Sequence, residues 1–110
     1  ELLELAARAA GYKLIWSYDK HCCWINEMRH DLDAAWNPLT DEGDALRLAV
    51  KCGLVVTLDR ENQRTLVSNQ AGHEYCAIYW DKLGEMAATR LAITEAAAAA
   101  EIGKSMGGGE

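Results

Sequence analysis

The stretch from Trp36 to Gly53, WNPLTDEGDALRLAVKCG, leaves the fewest options to any fold that contains it. Pro38 cannot continue a helix from behind, and it pushes Asn37 toward extended backbone. Thr40 or Asp41 then stands where a side-chain oxygen can accept from the free amides of a helix start. Asp41, Glu42 and Asp44 place negative charge at the positive end of that helix, and Arg47 and Lys51 lie nearer its negative end. Ala45, Leu46, Ala49 and Val50, with Leu48 beside them, make an apolar stripe at helical spacing, and Gly53 supplies the stop. The stretch predicts a helix with a tightly specified lead-in turn. It matches no catalytic motif.

The rest of the chain is read outward from this helix. Leu2, Leu3, Leu5, Ala6, Ala9 and Ala10 form a short helical stripe ended by Gly11. From Tyr12 the period changes to two: Tyr12, Leu14, Trp16 and Tyr18 alternate with Lys13, Ile15 and Ser17, which predicts a strand. A turn at Asp19-Lys20-His21 leads into Cys22 to Ile25, so these two strands form a hairpin. Residues 26–35 have no firm period and leave a loop or a short strand open. Beyond the central helix, Leu54–Leu58 and Thr65–Ser68 read as strands around a polar turn, and Glu74–Trp80 as a last strand or an extended approach to the final helix. Asp81 is the expected cap of a final helix from Lys82 to Ile102, stopped by Gly103.

That order predicts an α+β domain over residues 1–106: a small antiparallel sheet with helices packed on one face and a long C-terminal helix. Residues 107–110, Gly-Gly-Gly-Glu, are set apart from it as a flexible tail. The final helix carries Leu83, Met86, Ala87, Ile93, Ala97 and Ala100 on its expected stripe. Its alanine-rich face fits a close helix–helix contact, within the domain or across a dimer, and it is more extensive than one short domain should cover, which predicts a homo-oligomer, a dimer first.

Composition narrows the chemistry. The chain has 17 acidic and 11 basic residues and a formal charge of −6, so it does not neutralise duplex DNA by bulk charge. No apolar run reaches the roughly 18 residues of a membrane span, and no signal-peptide pattern opens the sequence. A cytoplasmic chain without membrane contact is the expectation. Phe is absent, so the aromatic volume comes from four Trp and four Tyr, whose polar handles suit a core that reaches the surface. Cys22, Cys23, Cys52 and Cys76 show no CxxC spacing and read as buried free thiols in a reducing compartment.

Three segments resemble small accessory proteins encoded by tailed phages and prophages. One is Trp36 to Val50; a second is Ala87-Ala88-Thr89-Arg90 with Ala99 to Met106; the third is the opening Glu1 to Gly11. Together they cover about half the chain. Cys52 stands where the resemblance leads one to expect Leu, a change that leaves the helix intact. The resemblance implies an accessory protein acting in the cytoplasm of a bacterial host. It carries over no active site.

Candidate chemistry is sparse. His21, Cys22, Cys23 and His30 are the most metal-like group, but adjacent residues on a strand face opposite sides and cannot readily share an ion. His73-Glu74 lacks the second His of a HExxH helix. Cys76 with His73, three apart on a strand, would face apart and form no nucleophile–base pair. No cofactor motif is present. Trp16, Trp24 and Trp36, with Arg29 and His30 close by, have two readings: the core of a Phe-free domain, or a platform that stacks a base and holds a phosphate. The binding reading places a ligand site at Trp24, Arg29, His30, Trp36 and Asn37. Asp31, Asp33, Asp41, Glu42 and Asp44 form an acidic band, read either as a well-capped solvated surface or as a nucleic-acid mimic. The expectation is a non-enzymatic counter-defence protein that binds a host bacterial protein, or a small nucleotide signal, stoichiometrically. A structural, assembly or replication-accessory role in the phage is the alternative.

Overall fold

A computed structural model describes the backbone of residues 2–12, 14–16, 23–27 and 32–106 and the side chains of residues 2–12 and 36–103. Along the chain these form α1 (Leu2–Ala9), β1 (Leu14–Trp16), β2 (Cys23–Glu27), β3 (Leu32–Trp36), α2 (Glu42–Cys52), β4 (Val55–Asp59), β5 (Arg64–Ser68), β6 (Glu74–Tyr79) and α3 (Glu85–Met106). The arrangement is α+β, with a long C-terminal helix. The strands divide into two antiparallel three-stranded sheets, β1-β2-β3 and β4-β5-β6, where a single sheet was expected. The residues left open at 26–35 hold the end of β2 and all of β3 but Trp36, and β3 pairs with β2 from Glu27↔Leu32 to Cys23↔Trp36. Its sequence, LDAAW, has too little apolar alternation to announce a strand; pairing with β2 defines it.

The central helix forms as its sequence dictates. Asp41 is the N-cap: it is extended, at φ −124° and ψ 120°, and its carboxylate accepts from the Asp44 amide at 2.8 Å. Gly53 closes the helix at φ 65°, a left-handed conformation that glycine adopts without steric penalty. Ala45, Leu48 and Ala49 are buried. The expected stripe is corrected on one side, because Leu46 and Val50 turn outward and are 64 % and 72 % exposed.

α3 is the element on which the others pack. It lies over β5 and β6, and α1 and α2 pack against it. Val67 and Thr65 of the middle strand β5 are fully buried beneath it. Ala88, Ala92, Ala96 and Ala97 are fully buried, and Ala92, Ala96 and Ala97 share one core with Ala6 and Ala7 of α1. Small side chains let two helix backbones approach closely, so contact along the backbone replaces the volume that larger residues would bring. Much of the alanine face that motivated a dimer is covered within one chain, while Ala87, Ala99 and Ala100 stay partly exposed. The buried row also differs from the expected stripe: Leu83 and Met86 are about half exposed.

Both ends of α3 depart from expectation. Residues 81–83 form a turn, and the cap position falls at Gly84 (φ 86°) rather than Asp81. The Gly84 amide donates to the Trp80 carbonyl at 2.8 Å, and its own carbonyl accepts from the Ala88 amide at 2.9 Å. Leaving β6 through a left-handed residue favours glycine, which decides the position. At the other end the helix runs through Gly103 to Met106. A glycine inside a helix costs about 1 kcal/mol relative to alanine, which is not enough to stop a helix already packed along its length.

Candidate functional site

The expected binding site comprises Trp24, Arg29, His30, Trp36 and Asn37, where the first hairpin meets the lead-in turn. Trp36 ends β3 and is only 2 % exposed, packed edge-on against Tyr12 with ring centroids 5.7 Å apart at 73°. Lys51 Nζ lies 5.6 Å from the Tyr12 ring centroid. The Trp36 indole N–H is buried and has no hydrogen-bond partner among the described residues. A ring this enclosed cannot stack a base, so Trp36 belongs to the core rather than to a platform.

Asn37 organises the turn instead of a ligand. Its side-chain carbonyl accepts from the Leu39 amide at 3.0 Å, across the buried Pro38, and its backbone carbonyl accepts from the amides of Thr40 and Asp41. Its own amide donates to Asp44 Oδ2 at 2.9 Å. Trp24 lies in β2 opposite Ile15 and Ala35, with only its backbone described. Arg29 and His30 lie outside the described residues, so of the five the side chains of Trp36 and Asn37 are the ones the structure describes.

The acidic band is largely absorbed by the same turn. Asp41 caps the helix. Asp44, buried, receives Asn37 and, at 2.8 Å, Arg47, which holds the Arg47 guanidinium above its ordinary value. Glu42 pairs with Arg90 of α3, whose Nε also donates to the Leu39 carbonyl at 2.8 Å. These three carboxylates satisfy amides and guanidinium groups of their own chain, which fits the capped-surface reading better than the mimic. Of the other two, Asp31 lies outside the described residues and Asp33 is described only in its backbone.

Cys76 is not poised for nucleophilic chemistry. Its thiol donates to the Ala92 carbonyl at 3.2 Å, and burial, followed by Glu95 and Glu74, pushes it up to about 11. A thiol held protonated is a poor nucleophile. Among the described residues no three His, Cys, Asp or Glu side chains are placed to share a metal ion. His21, Cys22 and His30 lie outside those residues, and Cys23 is described only in its backbone.

Sequence reasoning missed a second place. An open cleft of about 470 Å³ lies between the start of β6 and the last turns of α3, lined by His73, Tyr75, Ala99, Ala100 and Gly103. It exists because of an irregularity in the ladder: Val67 pairs with Cys76 and Ser68 with Glu74, leaving Tyr75 as the extra residue. With strict alternation Tyr75 and Cys76 would face opposite sides; the bulge lets both pack toward the core. The His73 ring meets Tyr75 edge-on at 5.2 Å. Gly103 adopts helical backbone, and a Cβ there would meet nothing within 4 Å. Packing does not require glycine at this position; its effect is to leave the cleft floor bare. The glycine inside a helical pattern was the one available signal.

No helix among the described residues is long and apolar enough to cross a membrane. No family model, curated protein or solved structure matches the chain.

Proposed function

We propose that this is a phage-type accessory protein that works in the cytoplasm of a bacterial host by binding a host defence protein stoichiometrically, without catalysis. One observation carries the choice of a protein partner over a nucleotide signal. The motif that resembles phage accessory proteins forms a helix capped at both ends, and this rigid element turns Leu46 and Val50 outward while Trp36 is enclosed. Two large apolar side chains one turn apart on a fixed helix suit a partner's apolar surface. The enclosed Trp36 indole is withdrawn from the stacking platform a nucleotide would need, which weighs toward a protein partner.

The experiment is capture from infected-host lysate with the wild-type protein and with Leu46→Glu/Val50→Glu, followed by mass spectrometry of bound proteins and nucleotides. The reading expects a host defence protein, inhibited at a one-to-one ratio and lost with the double variant. Capture of phage capsid or replication proteins instead would favour the assembly alternative. A nucleotide retained by both proteins would restore the sequestration reading.

A further inference from the structure

A sheet edge presents a row of backbone N–H and C=O groups, which natural proteins guard or pair. The two edges of the sheet β4-β5-β6 differ in this respect. β6 is guarded by its bulge between Glu74 and Cys76. β4, Val55-Val56-Thr57-Leu58-Asp59, runs against β5 in unbroken register and pairs with no other strand among the described residues. It holds no proline, lysine or bulge, and its one charge, Asp59, is held by Arg64 of β5 at 2.9 Å. A second observation falls on the same strand. Val56 stands opposite Val67 and Leu58 opposite Thr65, and both β5 residues are fully buried, so Val56 and Leu58 belong to the face turned toward α3. α3 lies over β5 and β6, and Leu58 is left 58 % exposed. The helix-covered face of the sheet thus runs past its helix and ends bare at β4.

We propose that the edge of β4 pairs with β4 of a second copy of this chain, antiparallel about a two-fold axis at Thr57, joining the two sheets into one of six strands. The strand is complementary to itself in that register. Thr57 meets Thr57 of the other copy, Val56 meets Leu58 and Val55 meets Asp59, so all five residues pair and no two charges are opposed. Each pair joins residues of the same face, which keeps Val56 and Leu58 of both copies on the side that carries α3 and gives the exposed Leu58 an apolar neighbour. A slip of one residue would join the α3 side of one copy to the open side of the other. The register also carries Arg60 of each copy past Val55 toward the end of α2 in the other, where the helix dipole is negative. Arg60 is exposed and forms no ion pair among the described residues. This contact uses neither Leu46 nor Val50, and it does not depend on the reading of a host partner.

Light scattering on the purified chain should give twice the monomer mass at tens of micromolar and the monomer on dilution. Thr57 is exposed, so a charge there is compatible with the fold of one chain. Thr57→Lys and Thr57→Glu each oppose like charges across the axis and should be monomeric, with circular dichroism unchanged. Mixed in equal amounts they should recover the dimer, because lysine then faces glutamate. Leu58→Ser introduces no charge and should weaken the dimer severalfold, which reads the same strand by a second route. A wild-type chain that stays monomeric at hundreds of micromolar overturns the proposal. A dimer that survives in both charge variants overturns it as well, since the contact then lies elsewhere. Monomeric variants that do not recover on mixing overturn the axis at Thr57. If hydrogen exchange shows the β4 amides protected only when a captured host protein is present, the edge belongs to that protein and the second copy is overturned as its occupant.

Discussion

The amide of Asn37 donates to the carboxylate of Asp44, seven residues ahead, at 2.9 Å. Through this contact the lead-in turn and the first turn of α2 become one unit: Asp44 holds Asn37, Asn37 holds the amides of Leu39, Thr40 and Asp41, and Asp41 holds Asp44 in return. Arg90 ties the unit to α3 through the Leu39 carbonyl and Glu42. The residues at 37, 41 and 44 thus act together to set the direction in which β3 hands over to α2.

Three substitutions should separate these roles. Asp44→Ala leaves a partly buried amide unsatisfied and removes a charged acceptor, so it should cost about 2–3 kcal/mol. Asp41→Ala removes an N-cap and should cost about 1 kcal/mol. Thr40→Ala touches only a 3.5 Å contact to the Asn37 carbonyl and should change stability by less than about 0.5 kcal/mol. Urea denaturation of the three variants checks the order. Equal costs at 40 and 41 would return the cap to an ambiguous position.

Much of the fold was legible because local signals agreed with one another. Pro38, the acidic first turn and Gly53 each mark a boundary of α2 by backbone chemistry that needs no partner. The hairpin of β1 and β2 and the last three strands were legible from periodicity. What failed depended on contacts. Leu46 and Val50 share helical spacing with Ala45 and Ala49, and only the position of α3 decides which side of that stripe is buried. Asp81 is a good cap residue, but the turn leaving β6 places Gly84 at the helix start. The cleft was hidden because a bulge at one rung turns Tyr75, and no residue type announces a bulge. The Trp residues could not be sorted by sequence at all, since an indole has the same apolar body in a core and in a groove.

Asp59 supplies a pH dependence. Its carboxyl is held below the usual range by hydrogen bonds first from Asn62 and then from Arg64, at 3.0 and 2.9 Å. A carboxyl depressed in the folded state stabilises the fold above its unfolded value and loses that contribution as pH falls through the folded value. Wild type should therefore lose more stability than Asp59→Asn on acidification from about pH 5 downward, with the two curves converging at low pH. Parallel curves in chemical denaturation across that range would sink the assignment.

The alanine seam gives a test of how α3 is covered. Ala96 is fully buried and shares the core with Ala6 and Ala7. Ala96→Leu adds volume where α3 shares its core with α1, and overpacking should cost about 1–3 kcal/mol. The loss should be independent of protein concentration, because the seam is closed within one chain. Melting measured over a hundredfold dilution checks this. A loss that appears only at high concentration, with a change in light scattering, would move the seam to an interface between copies.

The last prediction concerns a directed chain of hydrogen bonds under α3. Thr89 uses its single hydroxyl proton on the Glu85 carbonyl at 2.7 Å, so in its 2.7 Å contact with Thr65 it must accept. Thr65 therefore donates to Thr89 and accepts from the Trp80 indole N–H at 2.9 Å. The order runs from Trp80 through Thr65 and Thr89 to the backbone of α3, joining β5, the end of β6 and the first turn of the helix. Thr65 is fully buried, so water cannot replace either partner. Thr65→Val removes the middle of the chain and should cost about 1–3 kcal/mol, and Thr89→Val should cost a similar amount by leaving the Thr65 proton without an acceptor. The double variant removes both hydroxyls and leaves only the Trp80 N–H unsatisfied. Its cost should fall short of the sum by at least about 0.5 kcal/mol, the coupling expected of groups in one network. Strict additivity would mean that the two hydroxyls contribute independently and that the chain does not act as a unit.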